Sequence, residues 1–450
     1  MSAKNQLCKV TQLLFVWVFC LLAVTAGCGG NNESPAKHSS IAEKAEVKNV
    51  ILCIGDGMGL GQVALARMAS AGPNGQLYLE EMPVVGIIKT HSADSLVTDS
   101  AAAGTALAAG FKTNNGMVGI LPQGGKCLTI LEAAKENGMA TGLVVTSSVT
   151  DATPASFGSH VKSRSMQDQI AEDLLANKIN VLFGGGRDFF VPKPEPNSKR
   201  PDERNLLNEA KKAGYCNIQN TQELHLARGP YILGLFQSAA LTTMPPEPEL
   251  SELAEKAIEF LSKNKQGFFL MIEGSQIDWA CHKNDSNNTI RQTLLFDKAV
   301  KTALDFALKD ARTLVIVTAD HETGGLVIKN GNLKGKDLDV KWTTSGHTGM
   351  AVPLYAFGPG ADKFAGVYDN TQIPKRIAVL LGLKDFPRII SKTASKEVRF
   401  ENITKVLVRP TIHAAGIRSG PYSQRDKRDT GRKLFQQPLI SQMRVPVRQM

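Results

Sequence analysis

The chain has 450 residues, long enough for one large α/β domain or two ordinary ones, and carries 52 Lys and Arg against 42 Asp and Glu. The excess is local: residues 386–450 hold 14 basic and 4 acidic side chains, so the rest of the chain is neutral. No aromatic platform or groove-reading motif accompanies that charge, which argues against a specific nucleic-acid partner.

The first 28 residues read as an export signal. Lys4 and Lys9 precede the apolar run Leu13–Val24, and the small residues Thr25-Ala26-Gly27 lead to Cys28. This resembles a bacterial lipoprotein cleavage site, with Thr25 where Leu is favoured. Lipid on Cys28 would hold the mature chain at a bacterial membrane, periplasmic or cell-surface, with the polar residues 29–47 as tether. The alternative is plain cleavage near the same point and a soluble secreted form. The apolar run is short for a membrane span.

Four apolar, β-branched runs then read as buried parallel strands: Asn49–Ile54, Thr141–Thr146, Gly267–Ile272 and Thr313–Thr318. Each leads into an acid, respectively Asp56, Asp151, Glu273 and Asp320. In an open α/β sheet, ligands bind beyond the carboxyl ends of the strands, so these four carboxylates are expected on one rim. So many acids together require cations between them.

Between the first two strands, Leu96–Ala106 places Ser100 after Asp99, at the start of a run of Ala, Gly and Thr. Two readings are open. One is a nucleophile at a helix N-terminus, where unpaired N–H groups attract an anion. The other is a capped, tightly packed Ala helix. Downstream, Asp151–Arg164 reads as a loop entering a helix and carries Thr153. Arg164 is either a fork for two phosphate oxygens or a surface charge. Residues 190–250, rich in Pro and charge, read as an insertion on the active-site side, mostly loop with short helices. No internal repeat is present.

Histidines reinforce the rim. Asp278 and His282, spaced i,i+4, share one face of a helical turn. Asp320 and His321 are adjacent at a strand end, and His347 lies in the Gly-rich turn Ser345–Gly349 before the strand Ala351–Phe357. Imidazole with carboxylate suits zinc, and carboxylate with hydroxyl suits magnesium. His38, His91, His225 and His413 read as structural or solvated, and His160 as a helix-surface residue near the site. Cys8, Cys20 and Cys28 belong to the signal, which leaves Cys53, Cys127, Cys216 and Cys281 as free thiols with at most one bridge.

Six segments in order make the chain resemble the alkaline phosphatase family. They are Ile54–Gly59, Val97–Ala102, Thr150–Ala155, Glu273–Asp278 with His282, Thr318–Gly324 and Ser345–Gly349, and the likeness runs over about residues 48–386. The resemblance implies a three-layer α/β/α sandwich around a large, mostly parallel central sheet. It implies hydrolysis of phosphate monoesters through a phosphoserine at Ser100, with two Zn2+ and one Mg2+ per chain. Asp278, His282 and His347 would hold one zinc, and Asp56, Asp320 and His321 a second that activates Ser100. Asp56, Thr153 and Glu273 would hold magnesium, with Asp151 behind them or bound through water. Arg164 would clamp the phosphate and Asp99 orient it. Trp279 stands where relatives place Lys, His or Trp, which leaves open the pH optimum and the third metal's preference. Diester or sulfate hydrolysis, or non-catalytic zinc or phosphate binding, are the alternatives. Arg164, Asp99 and the Thr153–Glu273 pair favour a dianionic monoester, and an intact Ser100 favours catalysis. A homodimer is admitted as a partner, since the sequence does not set the oligomeric state.

The catalytic domain is expected to end near Phe386, after a final helix over Ile373–Leu381. The basic tail 387–450 has no sustained period and reads as a disordered extension, or as an anchor to anionic lipid or polymer.

Overall fold

The computed structural model describes residues 46–390. The signal segment with Cys28, nearly all of the tether, and the tail from 391 onward lie outside the described residues, as do His38 and His413. In chain order the strands are β1 (Asn49–Gly55), β2 (Val84–Lys89), β3 (Lys126–Cys127), β4 (Ala140–Ser148), β5 (Val181–Gly185), β6 (Tyr215–Ile218), β7 (Tyr231–Leu235) and β8 (Phe268–Gly274). They continue with β9 (Thr313–Thr318), β10 (Glu322–Thr323), β11 (Leu326–Asn330), β12 (Asp339–Trp342), β13 (His347–Thr348), β14 (Val352–Phe357), β15 (Gly366–Asp369) and β16 (Ile389–Ile390).

Ten strands form one sheet in the order β15-β2-β14-β9-β1-β8-β4-β5-β7-β6. Only β14 runs against its neighbours. The central strands β1, β8 and β9 are buried along their whole length, which explains their unbroken apolar composition. The helices fall into two packed groups. Leu60–Ala71, Leu250–Leu261 and Ser286–Asp310 form one, and Ser100–Ala109, Ile130–Glu136, Ala152–Gly158 and Gln372–Leu380 the other. With the sheet they make the expected three-layer α/β/α sandwich.

Two details go beyond the sequence reading. Residues 190–250 are mostly loop with short helices, as expected, but they also supply β6 and β7, two parallel strands at the end of the central sheet. Their short runs, Tyr215–Ile218 and Tyr231–Leu235, are masked in the sequence by the Pro and charge around them. At the other end, the chain continues past 386, where β16 pairs with β3 and Arg388 bonds Glu136. Cys53, Cys127, Cys216 and Cys281 are all free. No helix among the described residues is long and apolar enough to cross a membrane.

Candidate active site

Register brings the acids together. Ile54 of β1 lies opposite both Glu273 of β8 and Thr318 of β9. Asp56 and Asp320 follow two residues beyond that level, so they leave the sheet side by side. Because β14 is antiparallel, its start lies at the same rim, and this delivers His347. The two-residue strands β10 and β13 pair Thr323 with His347, which ties the two loops together. Gly57 makes the turn after β1 at φ +69°. A Cβ there would lie 2.9 Å from Asp278 Oδ1, and its N–H donates to Asp320 Oδ1 at 3.1 Å.

Ser100 begins the Ser100–Ala109 helix, and Asp99 is its N-cap, accepting from the Ala102 N–H at 2.9 Å. The helix is buried on every side. It packs closely on the Ala152–Gly158 helix, where the Ser156 hydroxyl lies 2.8 Å from the Ala152 carbonyl of its own helix and 3.2 Å from the Ala101 carbonyl across the contact. That close contact is why the segment is made of Ala, Gly and Thr. A larger side chain here would cost about 1–3 kcal/mol of overpacking. The two open readings of this segment therefore hold together: the helix is capped and tightly packed, and it presents Ser100 to the rim.

Ser100 Oγ lies 3.3 Å from His321 Nε2. The same nitrogen is 3.3 Å from Asp320 Oδ2 and 3.5 Å from Asp56 Oδ1. Both of those carboxylate oxygens are buried with no hydrogen-bond partner. A second cluster adjoins it. His347 Nε2 is 3.5 Å from Asp278 Oδ1, His282 Nε2 is 3.2 Å from Asp278 Oδ2, and the two imidazole nitrogens are 3.1 Å apart. The His321 and His347 rings stack at 3.6 Å.

The far side of each ring fixes its tautomer. His282 Nδ1 donates to the Ser345 carbonyl at 2.6 Å and His347 Nδ1 to the Thr98 carbonyl at 2.9 Å. Thr323 commits its hydroxyl proton to Asp278 Oδ1 at 2.5 Å and so accepts from His321 Nδ1 at 3.2 Å. The Nε2 lone pairs of His321 and His347 then face the carboxylates, and His282 Nε2 faces Asp278, the arrangement expected of metal ligands held from behind. Asp56, Asp320 and His321 form one group able to hold a metal ion, and Asp278, His321 and His347 another.

Electrostatics agrees. Burial, compounded by Asp320, Asp278, Glu273 and Asp151, pushes Asp56 well above the usual carboxylate range. Burial likewise pushes Glu273 up to about 8 and Asp320 up to about 6. Burial lowers His321 to about 4 and also lowers His347, keeping both rings neutral at pH 7. At Asp278, burial is outweighed by hydrogen bonding from His282, which holds it at about 2, and the same bond raises His282 to about 9. Acids forced toward protonation beside neutral imidazoles fit a site completed by cations.

Arg164 donates to Asp99 Oδ2 at 3.3 Å and to Asp151 Oδ1 at 3.1 Å. Glu273 takes the Ser275 hydroxyl at 2.8 Å, and the neighbouring Thr153 side chain also favours its charged form. Every residue singled out for the site thus lies in one rim-end cluster, and Trp279 is half-buried beside Asp278 on the Gln276–His282 helix. His91 and His225 lie outside it, paired with Asp369 and Glu252. His160 departs from expectation: it sits past the end of its helix, at Gly158, and its side chain is nearly covered between Gly119 and Glu132. Sequence reasoning also missed Thr323 and the carbonyls of Thr98 and Ser345. Thr323 lies within the Thr318–Gly324 segment, but backbone acceptors carry no sequence signal.

The family model described as Alkaline phosphatase matches residues 47–338 and 334–383. Alkaline phosphatase 4 of Bacillus subtilis (strain 168) is 37% identical over 445 residues, covering 80% of this chain and 95% of that protein. The solved alkaline phosphatase from the Antarctic bacterium TAB5 matches with a TM-score of 0.69 at 35% identity, covering 75% of this chain and 99% of that one. A variant of the TAB5 protein is solved with Mg bound in its M3 site, with a TM-score of 0.68 at 35% identity and the same coverage. The chain belongs to the alkaline phosphatase family.

Proposed function

We propose that the chain hydrolyses phosphate monoesters at Ser100, with two Zn2+ and one Mg2+ held in the carboxylate and imidazole cluster. The observation that carries this is the buried convergence of Ser100 Oγ, His321 Nε2 and the unpartnered oxygens of Asp56 and Asp320. Asp56, Asp320 and His321 would hold one zinc, and Asp278, His282 and His347 the other. Asp56, Thr153 and Glu273 would hold magnesium, with Asp151 behind them. The Mg bound by the TAB5 variant supports a third site of this kind. Bound metals lower the pKa of a hydroxyl or of water and offset charge on the transferring phosphoryl group.

The chain's own groups supply the rest. Ser100 Oγ attacks phosphorus as the ester P–O bond breaks and the alcohol leaves. Water then attacks the phosphoserine, releasing inorganic phosphate and restoring Ser100. Arg164 forks two non-bridging oxygens, and Asp99 and Asp151 hold its guanidinium in place. The N-terminal end of the Ser100–Ala109 helix faces the anion with its positive dipole. Ser100→Ala should lower turnover of an aryl phosphate at least about a thousandfold with zinc content near that of the parent. Acid quench of the parent should trap labelled phosphate on Ser100. Label on another residue, or near-normal turnover of the variant, would refute the assignment.

We infer further that the chain is exported and held at a bacterial membrane by lipid on Cys28, periplasmic or cell-surface. Support comes from the sequence of residues 4–28 alone. Cys28→Ser should fail to take up a radiolabelled lipid precursor and should leave the membrane fraction; retention would contradict the anchor.

A further inference from the structure

His160 has no place in the chemistry above, yet among the described histidines outside the metal cluster it is the one whose ring is nearly enclosed with both nitrogens engaged. Its Nδ1 lies 2.7 Å from the Gly119 carbonyl and its Nε2 2.9 Å from Glu132 Oε1. Both partners are acceptors, so the ring donates from both nitrogens, as an imidazolium does. The side chain is only 8% exposed and that of Glu132 15%, so solvent screens this pair weakly. Glu132 is itself fixed. Its Oε2 accepts from the Thr129 N–H at 2.9 Å in the capping box of the Ile130–Glu136 helix, and its Oε1 accepts from Asn177 at 3.2 Å. Lys126 is the nearby cation acting on the ring, and Asp173 takes the His160 backbone N–H at 3.3 Å. Gly119 is required for this approach. Its φ is +64°, and a Cβ would fall 2.2 Å from the Ser159 carbonyl and 2.8 Å from His160 Nδ1.

The clip bears on the site because two chain segments run together from it to Arg164. Val118 and Val161 exchange backbone hydrogen bonds at 3.1 and 3.0 Å. Further along, the Arg164 N–H donates to the Gly116 carbonyl at 2.7 Å, and the Gly116 N–H donates to Asp99 Oδ2 at 3.0 Å. That same oxygen receives the Arg164 guanidinium. The ladder therefore has His160 at one end and the Arg164–Asp99 pair at the other, four residues apart on one strand and three on the other. We propose that His160, through Gly119 and Glu132, is a positioning residue that sets where Arg164 meets the phosphate. This rests on the reading of Arg164 as the phosphate clamp. A displacement of about 1 Å in a positioning group is enough to cost one to two orders of magnitude.

The test is a double-mutant cycle on the full, metal-loaded chain, using inorganic phosphate as competitive inhibitor and an aryl phosphate as substrate. His160→Ala should raise Ki for phosphate and KM together by about five- to tenfold, with zinc content and circular dichroism unchanged. Glu132→Gln preserves shape and the second variant guards against misfolding; it should move both constants the same way by a smaller factor. In an Arg164→Ala background, neither change should alter Ki further. Three outcomes overturn the proposal. If His160→Ala and Glu132→Gln both leave Ki unchanged, the clip does not reach the site. If their effects persist in full beside Arg164→Ala, His160 acts by another route while the clamp stands. If Arg164→Ala alone leaves Ki unchanged, the clamp fails and the positioning role fails with it.

Discussion

Two clusters of buried charge show how differently this fold uses ionic side chains. At the rim, Asp56, Glu273, Asp278 and Asp320 converge with few cations, and Asp56 Oδ1 and Asp320 Oδ2 have no hydrogen-bond partner, only the His321 ring beside them. Further along the chain from Arg164, the guanidinium of Arg200 is fully buried and fully matched. Its Nε and Nη2 meet Asp202 at 2.8 and 2.7 Å, Nη2 also meets Glu172 at 2.8 Å, and Nη1 donates to the carbonyls of Asp168 and Phe189 at 3.3 Å. All five N–H donors are used. A cluster that closes on itself is part of the architecture. One that leaves charge unbalanced has room for something from outside, because unpaired buried carboxylates are too costly to maintain alone.

The contrast breaks if the rim cluster survives loss of a ligand without losing metal. His347→Ala should remove about one zinc per chain and cut turnover about a hundredfold at limiting zinc, and a chelator should abolish activity of the parent. Elemental analysis showing full zinc in the variant would contradict its role as a ligand. Arg200→Met probes the other side. It leaves Glu172 paired with Arg204 alone and Asp202 with only the Arg204 backbone N–H, and both carboxylates are partly solvated, so the cost should be about 2 kcal/mol of unfolding free energy rather than the larger penalty of a fully buried pair. Its KM and metal content should match the parent; a change in either would mean that the closed cluster serves the site after all.

The Glu132–His160 pair lies between these cases, with one carboxylate for one ring. Burial opposes both charges, but their mutual hydrogen bond prevails, raising His160 above 6.5 and lowering Glu132 below 4.5. The His160 contribution is whole below pH 6.5 and fades as pH rises through its higher folded value. The Glu132 contribution is whole above pH 4.5 and fades as pH falls through its lower folded value. The stability lost in His160→Gln should therefore be greatest between pH 4.5 and 6.5, at about 1 kcal/mol, and shrink on both sides. Denaturation curves giving a difference that does not vary with pH would show that the pair is not charged.

Much of the site was legible because its chemistry sits where local patterns change. Continuous apolar runs stop at Asp56, Glu273 and Asp320, and the i,i+4 spacing of Asp278 and His282 survives in the Gln276–His282 helix. Less was legible where local composition opposes tertiary context. Strands β6 and β7 are short and sit among Pro and charge, and only pairing along the sheet edge makes them strands. His160 resembled any surface histidine, since its two acceptors are 28 and 41 residues away along the chain.

The sequence by itself determined which residue types could do chemistry here, and that parallel strands would carry the acids to one rim. It also determined that a small-residue helix would follow Asp99, because side-chain volume and capping are local properties. Only the tertiary structure decided which nitrogen of each histidine faces the cluster, because that depends on the carbonyls of Thr98 and Ser345 and the hydroxyl of Thr323. It alone brought His347 to the rim, through the reversed direction of β14. It alone separated the balanced charge at Arg200 from the unbalanced charge around Asp56, since balance is a matter of distance and burial that no spacing along the chain encodes.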